Sequence, residues 1–329
     1  MNLLKPGKTV DWLFVIIVNF MWATQVPVIR LIGDSLGPVT VAFIPMILST
    51  LIFLPLLWRE NKKRKVKMLW RWNDIKYFLL PGLIGIFLMQ YLYTLGSRLT
   101  LAANAGIITL AIPVIVAIFA SFLLKEKLNI IRILSFLLAI GGVLMTSVSD
   151  ISGADLMHGQ YLKGNFIFLF ACICAGFFNT YCKMLVDKKY TELEILVYSS
   201  IIGSIASIPL LIWVEPFHYT AFMQSGKVAL FGILELSIIV YGFSMLLFFW
   251  VLKRMDVTQA ILGNYLLPFF IALLGILLLN EKITPLMMLG GGLILVSTLM
   301  VTVYENSLLA FFKTKPKIKN TNKDAFPGI

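Results

Sequence analysis

Ten apolar runs, each about as long as a bilayer is thick, constrain this chain more than any motif does. A helix needs roughly 20 mostly apolar residues to cross a hydrocarbon core of about 30 Å. With soft boundaries, the runs cover residues 11–32, 36–58, 74–96, 101–124, 130–149, 164–184, 192–214, 228–252, 258–279 and 285–311. They are continuously apolar, whereas membrane strands alternate in segments of about ten residues, so helices are expected. Only 13% of the 329 residues are charged, about half the ~25% of a soluble domain, and a water-soluble fold is excluded. The first run, from Trp12 to Ile32, lacks a small-x-small cleavage site and reads as a retained helix. No organelle-like presequence is read, so a bacterial cytoplasmic membrane is expected.

The net charge of +12 must be located before it is interpreted. With the N-terminus in the cytoplasm, 23 of the 28 Lys and Arg residues fall on that side, and only Arg30, Arg98, Lys163, Lys227 and Lys282 fall outside. Such a bias places both termini in the cytoplasm. The stretch KKRKVK at 62–67 therefore reads as an anchor beside anionic lipid rather than a nucleic-acid site. Cys172, Cys174 and Cys182 share the sixth run and read as small packing residues. His158 and His218 sit in separate outer loops, which excludes a histidine-based metal or acid-base centre within the membrane; no cofactor is expected.

The chain repeats itself. LLKEKL at 123–128 returns as LLNEKI at 278–283, and the same offset of 155 residues aligns Pro113 with Pro268, Ala117 with Ala272 and Leu144-Met145 with Leu299-Met300. FLPLLW, ending at Trp58, answers SIPLLIW, ending at Trp213; at an offset of 153, Arg30 and Asp34 answer Lys183 and Asp187. Each half thus holds five of the ten helices. An odd number of crossings makes the second half start from the opposite face, so the expected architecture is all-α, ten transmembrane helices in two inverted five-helix repeats. Inverted halves can exchange conformations, which is the basis of alternating access. The expected organisation is a cytoplasmic tail over 1–10, a first repeat over 11–149, an extracytoplasmic linker over 150–163, a second repeat over 164–311 and a basic cytoplasmic tail over 312–329.

The runs PVIVAIFASFLLKEKLNIIRILSFLLAIGGVLM (113–145) and PFFIALLGILLLNEKITPLMMLGGGLILVSTLM (268–300) resemble the two copies of the EamA domain of the drug/metabolite transporter superfamily. WATQVPVIR, from Trp22 to Arg30, is similar to that family's Trp-Gly-Ser-Asn-Phe start followed by a basic residue, with Ala23 at its glycine and Gln25 at its asparagine. The resemblance covers roughly residues 11 to 305. It implies ten helices, an inverted five-plus-five repeat, and export or exchange of small organic solutes through a central cavity; amino acids or related molecules are the expected solutes.

Polar groups inside spans are costly and should face a cavity or a partner. Glu235 is the deepest carboxyl; the expected roles are proton coupling or amine binding at the cavity, against a hydrogen-bonded carboxyl packed on another helix. Pro113 and Pro268 each free a carbonyl four residues earlier, at Thr109 and Asn264, where interrupted helices would meet solute; a kink satisfied by its own side chain is the alternative. Gln25, Gln90, Asn179 and Tyr241 complete the candidate set, with Trp22 as an aromatic wall; each could also serve as packing glue. Arg30–Asp34 and Lys183–Asp187 read as weak i, i+4 surface pairs, Glu126 and Glu281 as caps or pairs near the interfaces, and Gly141-Gly142 with Gly290 to Gly292 as points of close helix approach.

The reading is a secondary active transporter of a small-molecule substrate, embedded in the bilayer, with protons as the candidate coupling ion and homodimer formation left open. A passive channel or facilitator is the alternative, ahead of a membrane-embedded enzyme or scaffold. No Walker motif points to ATP drive.

Overall fold

The computed structural model describes residues 6–64, 72–123, 130–148, 160–216, 219–255, 260 and 262–302, and these are helical with no strand among them. Among the described residues, seven helices have the length and apolar composition to cross a membrane. They are α1 (Pro6–Ile32), α2 (Pro38–Lys63), α3 (Asp74–Leu99), α4 (Ala102–Leu123), α6 (Gln160–Asp187), α7 (Glu192–Val214) and α8 (Lys227–Leu252). Three shorter apolar helices complete the set: α5 (Ile130–Val148), α9 (Leu267–Leu279) and α10 (Pro285–Thr302). A six-residue helix, Tyr219–Gln224, joins α7 to α8. Glu126, His158, His218 and the tail beyond residue 302 lie outside the described residues, as does most of the expected linker. α1 begins at Pro6 and α2 runs to Lys63, so helix takes in half of the expected N-terminal tail and the start of the basic loop.

Local chemistry sets the helix ends. Pro38 starts α2 behind Gly37, its fixed φ suiting the first turn, where no internal N–H partner is needed. Thr191 and Glu194 form a capping box at the start of α7, satisfying two donors reciprocally. Asn280, in the left-handed region at φ 53°, ends α9, as short polar side chains can.

Two eight-residue stretches wind in wide i→i+5 turns: Pro81–Leu88 in α3 and Leu236–Phe243 in α8. They coincide at the 155-residue offset. A third wide turn, Leu210–Val214, ends α7. Pro55 aligns with Pro209 at an offset of 154 and Trp58 with Trp213 at 155, so this turn takes up the one extra residue of the second half, as a π-bulge does.

The packing repeats as well. α1 packs on α9 as α6 packs on α4; α1 meets α8 as α6 meets α3; α2 meets α8 as α7 meets α3. α2 packs on α7, and α5 packs along α10. There Gly142 lets the backbones close in, because a Cβ on it would lie 2.5 Å from Ile294 Cγ1 and 2.7 Å from the Gly290 carbonyl oxygen, the close approach small residues give membrane helices. Phe43, Phe53, Phe168 and Phe249 fill the interior, while Leu13, Phe231, Trp213, Phe269 and Leu277 point outward. An apolar exterior on this scale is the surface of a multi-pass membrane protein.

Candidate solute site

Gln25 on α1 ties three helices together. Its amide Nε2 donates to Gln90 Oε1 on α3 at 3.0 Å and to the Tyr241 hydroxyl on α8 at 3.1 Å, using both N–H groups a carboxamide offers. Gln90 follows the wide-turned stretch of α3 and Tyr241 lies within that of α8. One turn from Gln25, Trp22 Nε1 donates to Ser244 Oγ at 2.9 Å, which fixes the indole plane.

Both proline-led helices are broken ahead of their prolines. α4 leaves helical geometry at Leu110 and Ala111 before Pro113, and a tight 3-10 turn, Leu262–Leu266, precedes α9 and Pro268. Thr109 Oγ1 turns back to the Gly106 carbonyl at 2.6 Å. Asn264 does otherwise: it is 2% exposed, yet its Oδ1 has no hydrogen-bond partner. A buried acceptor left open costs free energy, and this one faces the cavity between the halves.

Trp22, Gln25, Gln90, Thr109 and Asn264 line one cavity of about 60 Å³. Ten of its lining residues pair across the repeat: Trp22 with Ala175 and Gln25 with Phe178 at the 153 offset, then Gln90 with Met245, Thr109 with Asn264 and Ile112 with Leu267 at 155. Met89, Tyr93 and Asn179 complete the wall. Positions match while chemistry does not: where the first half places carboxamides, the second places Phe178 and Met245. Among the described residues, none in the lining is Asp, Glu, Lys, Arg or His. The free volume admits a few water molecules, well below the ~300 Å³ and more of typical solute sites. A larger concavity of about 500 Å³, lined by Phe14, Met21, Phe243 and Trp250 among others, is mostly apolar and suits acyl chains rather than a polar solute.

Six of the eight candidate residues, Trp22, Gln25, Gln90, Thr109, Asn179 and Asn264, thus meet in one place, and Tyr241 stands one hydrogen bond behind the wall. Glu235 does not line the cavity. It takes the Thr24 hydroxyl on Oε1, and its Oε2 is buried without a partner. Arg30 departs from its local pairing: instead of Asp34 it meets Glu281 Oε1 at 2.7 Å and donates to the Thr100 carbonyl, because a buried carboxylate held in place outcompetes a surface neighbour. Lys183–Asp187 does form, at 3.0 Å. At the end of the bundle opposite Arg30, burial and the Asp74 carboxylate push the Tyr190 phenol up to about 12, so it adds no charge there.

Met89, Ala175, Phe178, Met245, Ile112 and Leu267 escape polarity-based reading, since apolar side chains in apolar runs carry no signal of their own, and Tyr93, though it has a hydroxyl, is not among the candidates. The repeat offset carries one for three of them: applied to the candidates Trp22, Gln25 and Gln90, it points to Ala175, Phe178 and Met245.

The EamA-like transporter family model matches the chain twice, over residues 11–148 and 162–303. Among similar proteins, an uncharacterized transporter of Bacillus subtilis (strain 168), YoaV, is 20% identical over 88% of this chain and 95% of its own length. A WAT1-related chloroplastic protein of Arabidopsis thaliana is 22% identical over 92% of this chain and 71% of its own. One solved crystal structure superposes with a TM-score of 0.63 at 15% identity, covering 91% of this chain and 99% of its own, a likeness of fold.

Proposed function

The chain belongs to the EamA-like transporter family, whose members are membrane transporters rather than enzymes, and we propose that it is a secondary active exporter or exchanger. Its solutes are small organic metabolites without net charge, amino acids or related molecules, and it works by alternating access around the Gln25–Asn264 cavity. Ten crossings arranged as two inverted five-helix units, with both termini cytoplasmic, complete the reading.

The paired lining of the cavity carries this reading. A site whose walls come from equivalent positions of two repeats is presented to one compartment or the other according to which unit holds which conformation. The wide turns of α3 and α8 in common register, the packing that repeats between halves and the family match over each half all support it. A cavity of about 60 Å³ is too small for an amino acid, and parting the helices at either face supplies the missing volume. Net-neutral solutes follow from the lining, because an unpaired charge without a counter-ion in low dielectric is costly.

Counterflow in proteoliposomes tests the proposal. Vesicles loaded with unlabelled amino acids, nucleobases or quaternary ammonium cations are diluted into labelled solute, and saturable uptake dependent on the internal solute is expected for a net-neutral class. Unsaturable flux would identify a passive pore, and uptake confined to the cations would overturn the solute class.

A further inference from the structure

Two carboxylates of the second half close the Arg30 end of the bundle by the same device. Glu215, the residue that ends α7, accepts from the backbone N–H of Val39 at 2.9 Å and of Thr40 at 3.0 Å at the start of α2. Glu281, just past α9, accepts from Ala102 at 2.9 Å and Ala103 at 3.0 Å at the start of α4, and Arg30 rests on it. Each carboxylate spans two N–H groups that a helix start leaves without an internal partner, at the positive end of the helix dipole. Gly37 makes room for the first clasp, since a Cβ there would occupy the seat of the Glu215 carboxyl. Each clasp joins one half to the other, so this end cannot part while they hold.

The repeat places a mirror of the Glu215 clasp at the other end of the same helix pair. Glu60 answers Glu215 at the 155 offset; at the 154 offset set by Pro55 and Pro209, Val39 and Thr40 answer Leu193 and Glu194. The end of α2 lies beside the start of α7, where Arg64 Nη1 meets Glu194 Oε1 at 3.3 Å. Yet the mirror clasp is not made. Glu60 pairs with Arg64 at 3.7 Å, and the start of α7 caps itself: the Thr191 hydroxyl accepts from the Glu194 N–H at 3.3 Å while the Glu194 carboxylate accepts from the Thr191 N–H at 2.8 Å. The ion pairs joining the halves here are looser, Arg64–Glu194 and Arg254–Asp11 at 3.5 Å, with arginines 39% and 49% exposed against 23% for Arg30.

We propose that Glu215 and Glu60 are alternating clasps of the transport cycle. Glu215 holds the outer end shut in this state; Glu60 takes the N–H groups of Leu193 and Glu194 when the inner end shuts and the Glu215 contacts part. α2 and α7 form one antiparallel pair, so a tilt that separates their outer ends brings their inner ends together. The capping box satisfies the start of α7 until Glu60 arrives. The inference rests on the transporter reading and adds the residues that gate it.

Solute is not needed for the test. Met89→Cys in the cavity wall serves as reporter, the native cysteines being buried, and a membrane-impermeant maleimide is applied to right-side-out and inverted vesicles. Glu215→Gln, which replaces one of the two accepting oxygens by an NH2 donor and removes the charge, is expected to raise labelling from the outer side about tenfold relative to the inner side. Glu60→Gln is expected to shift it oppositely. Gly37→Ala, which fills the carboxyl seat and leaves the charge intact, should reproduce Glu215→Gln; Glu215→Asp replaces the amide if size-exclusion shows aggregation. Glu215 and Glu60 variants shifting labelling in the same direction, or neither shifting it, overturns the clasps whatever the counterflow assay gives. Opposite shifts support them even where no tested solute is exchanged.

Discussion

Glu281 and Arg30 lie in opposite halves of the chain and 2.7 Å apart in the fold, with the Glu281 carboxylate also held by the N–H groups of Ala102 and Ala103. LLNEKI supplies this geometry: Asn280 turns the chain in the left-handed region and delivers the next residue to the partner half. Glu281→Ala strips Arg30 of its counter-ion and two helix-start donors of their acceptor, and is expected to cost about 2–4 kcal/mol. Lys282 is exposed, and Lys282→Ala should cost under about 0.5 kcal/mol. Thermal unfolding in detergent separates them; equal losses would deny the clasp.

Asn264 and Gln25 should part stability from transport. Asn264 Oδ1 has no protein partner, so Asn264→Ala removes no internal hydrogen bond from that oxygen. It is expected to leave the melting temperature nearly unchanged while raising KM for counterflow about tenfold, the value of one hydrogen bond to solute. Gln25→Leu leaves Gln90 and Tyr241 without the amide that joins them, and should lower both stability, by about 1–3 kcal/mol, and exchange rate. An Asn264→Ala chain that melts early but transports normally would reverse the assignment.

Why the sequence disclosed this much is visible in the same residues. Carboxamides in apolar runs stand out because hydrocarbon penalises them, so Gln25, Gln90, Asn179 and Asn264 could be chosen without coordinates, and the prolines placed the breaks in α4 and α9. Distance in sequence hid the rest. A local rule matches Arg30 to Asp34, while the fold supplies Glu281 from the other half. Glu215 escapes the sequence reading altogether, and its part shows only where α2 begins against it. The wide turns left almost no mark, since an i→i+5 stretch is as apolar as the helix around it; only the offset change between Pro209 and Trp213 betrays one of the three.

Glu235 offers a test of proton coupling. Thr24 on α1 faces its Oε1, and Tyr241 lies within Coulombic range on its own helix α8; among the described residues no basic side chain pairs with it. Glu235→Gln keeps a group able to bond Thr24 but cannot release a proton. If Glu235 carries the coupling proton, solute accumulation driven by an imposed pH gradient should vanish while counterflow at equal pH persists. Gradient-driven accumulation at the parent rate would remove Glu235 from coupling and leave it a hydrogen-bonded packing residue.

Gly141 and Gly142 are neighbours with different tasks, and the α5–α10 seam tells them apart. A Cβ on Gly141 would approach nothing nearer than Leu293 Cδ2 at 3.7 Å, an ordinary contact, whereas one on Gly142 would meet the rigid Gly290 carbonyl at 2.7 Å. Backbone cannot step aside as a side-chain tip can, so the two helices must separate. Gly142→Ala is therefore expected to cost about 1–3 kcal/mol as overpacking, and Gly141→Ala to be neutral or mildly stabilising, since alanine favours helix over glycine by about 1 kcal/mol. Opposite shifts in melting temperature from adjacent, chemically identical substitutions would locate the close approach at one residue; equal shifts would mean that helix propensity, not contact, governs the seam.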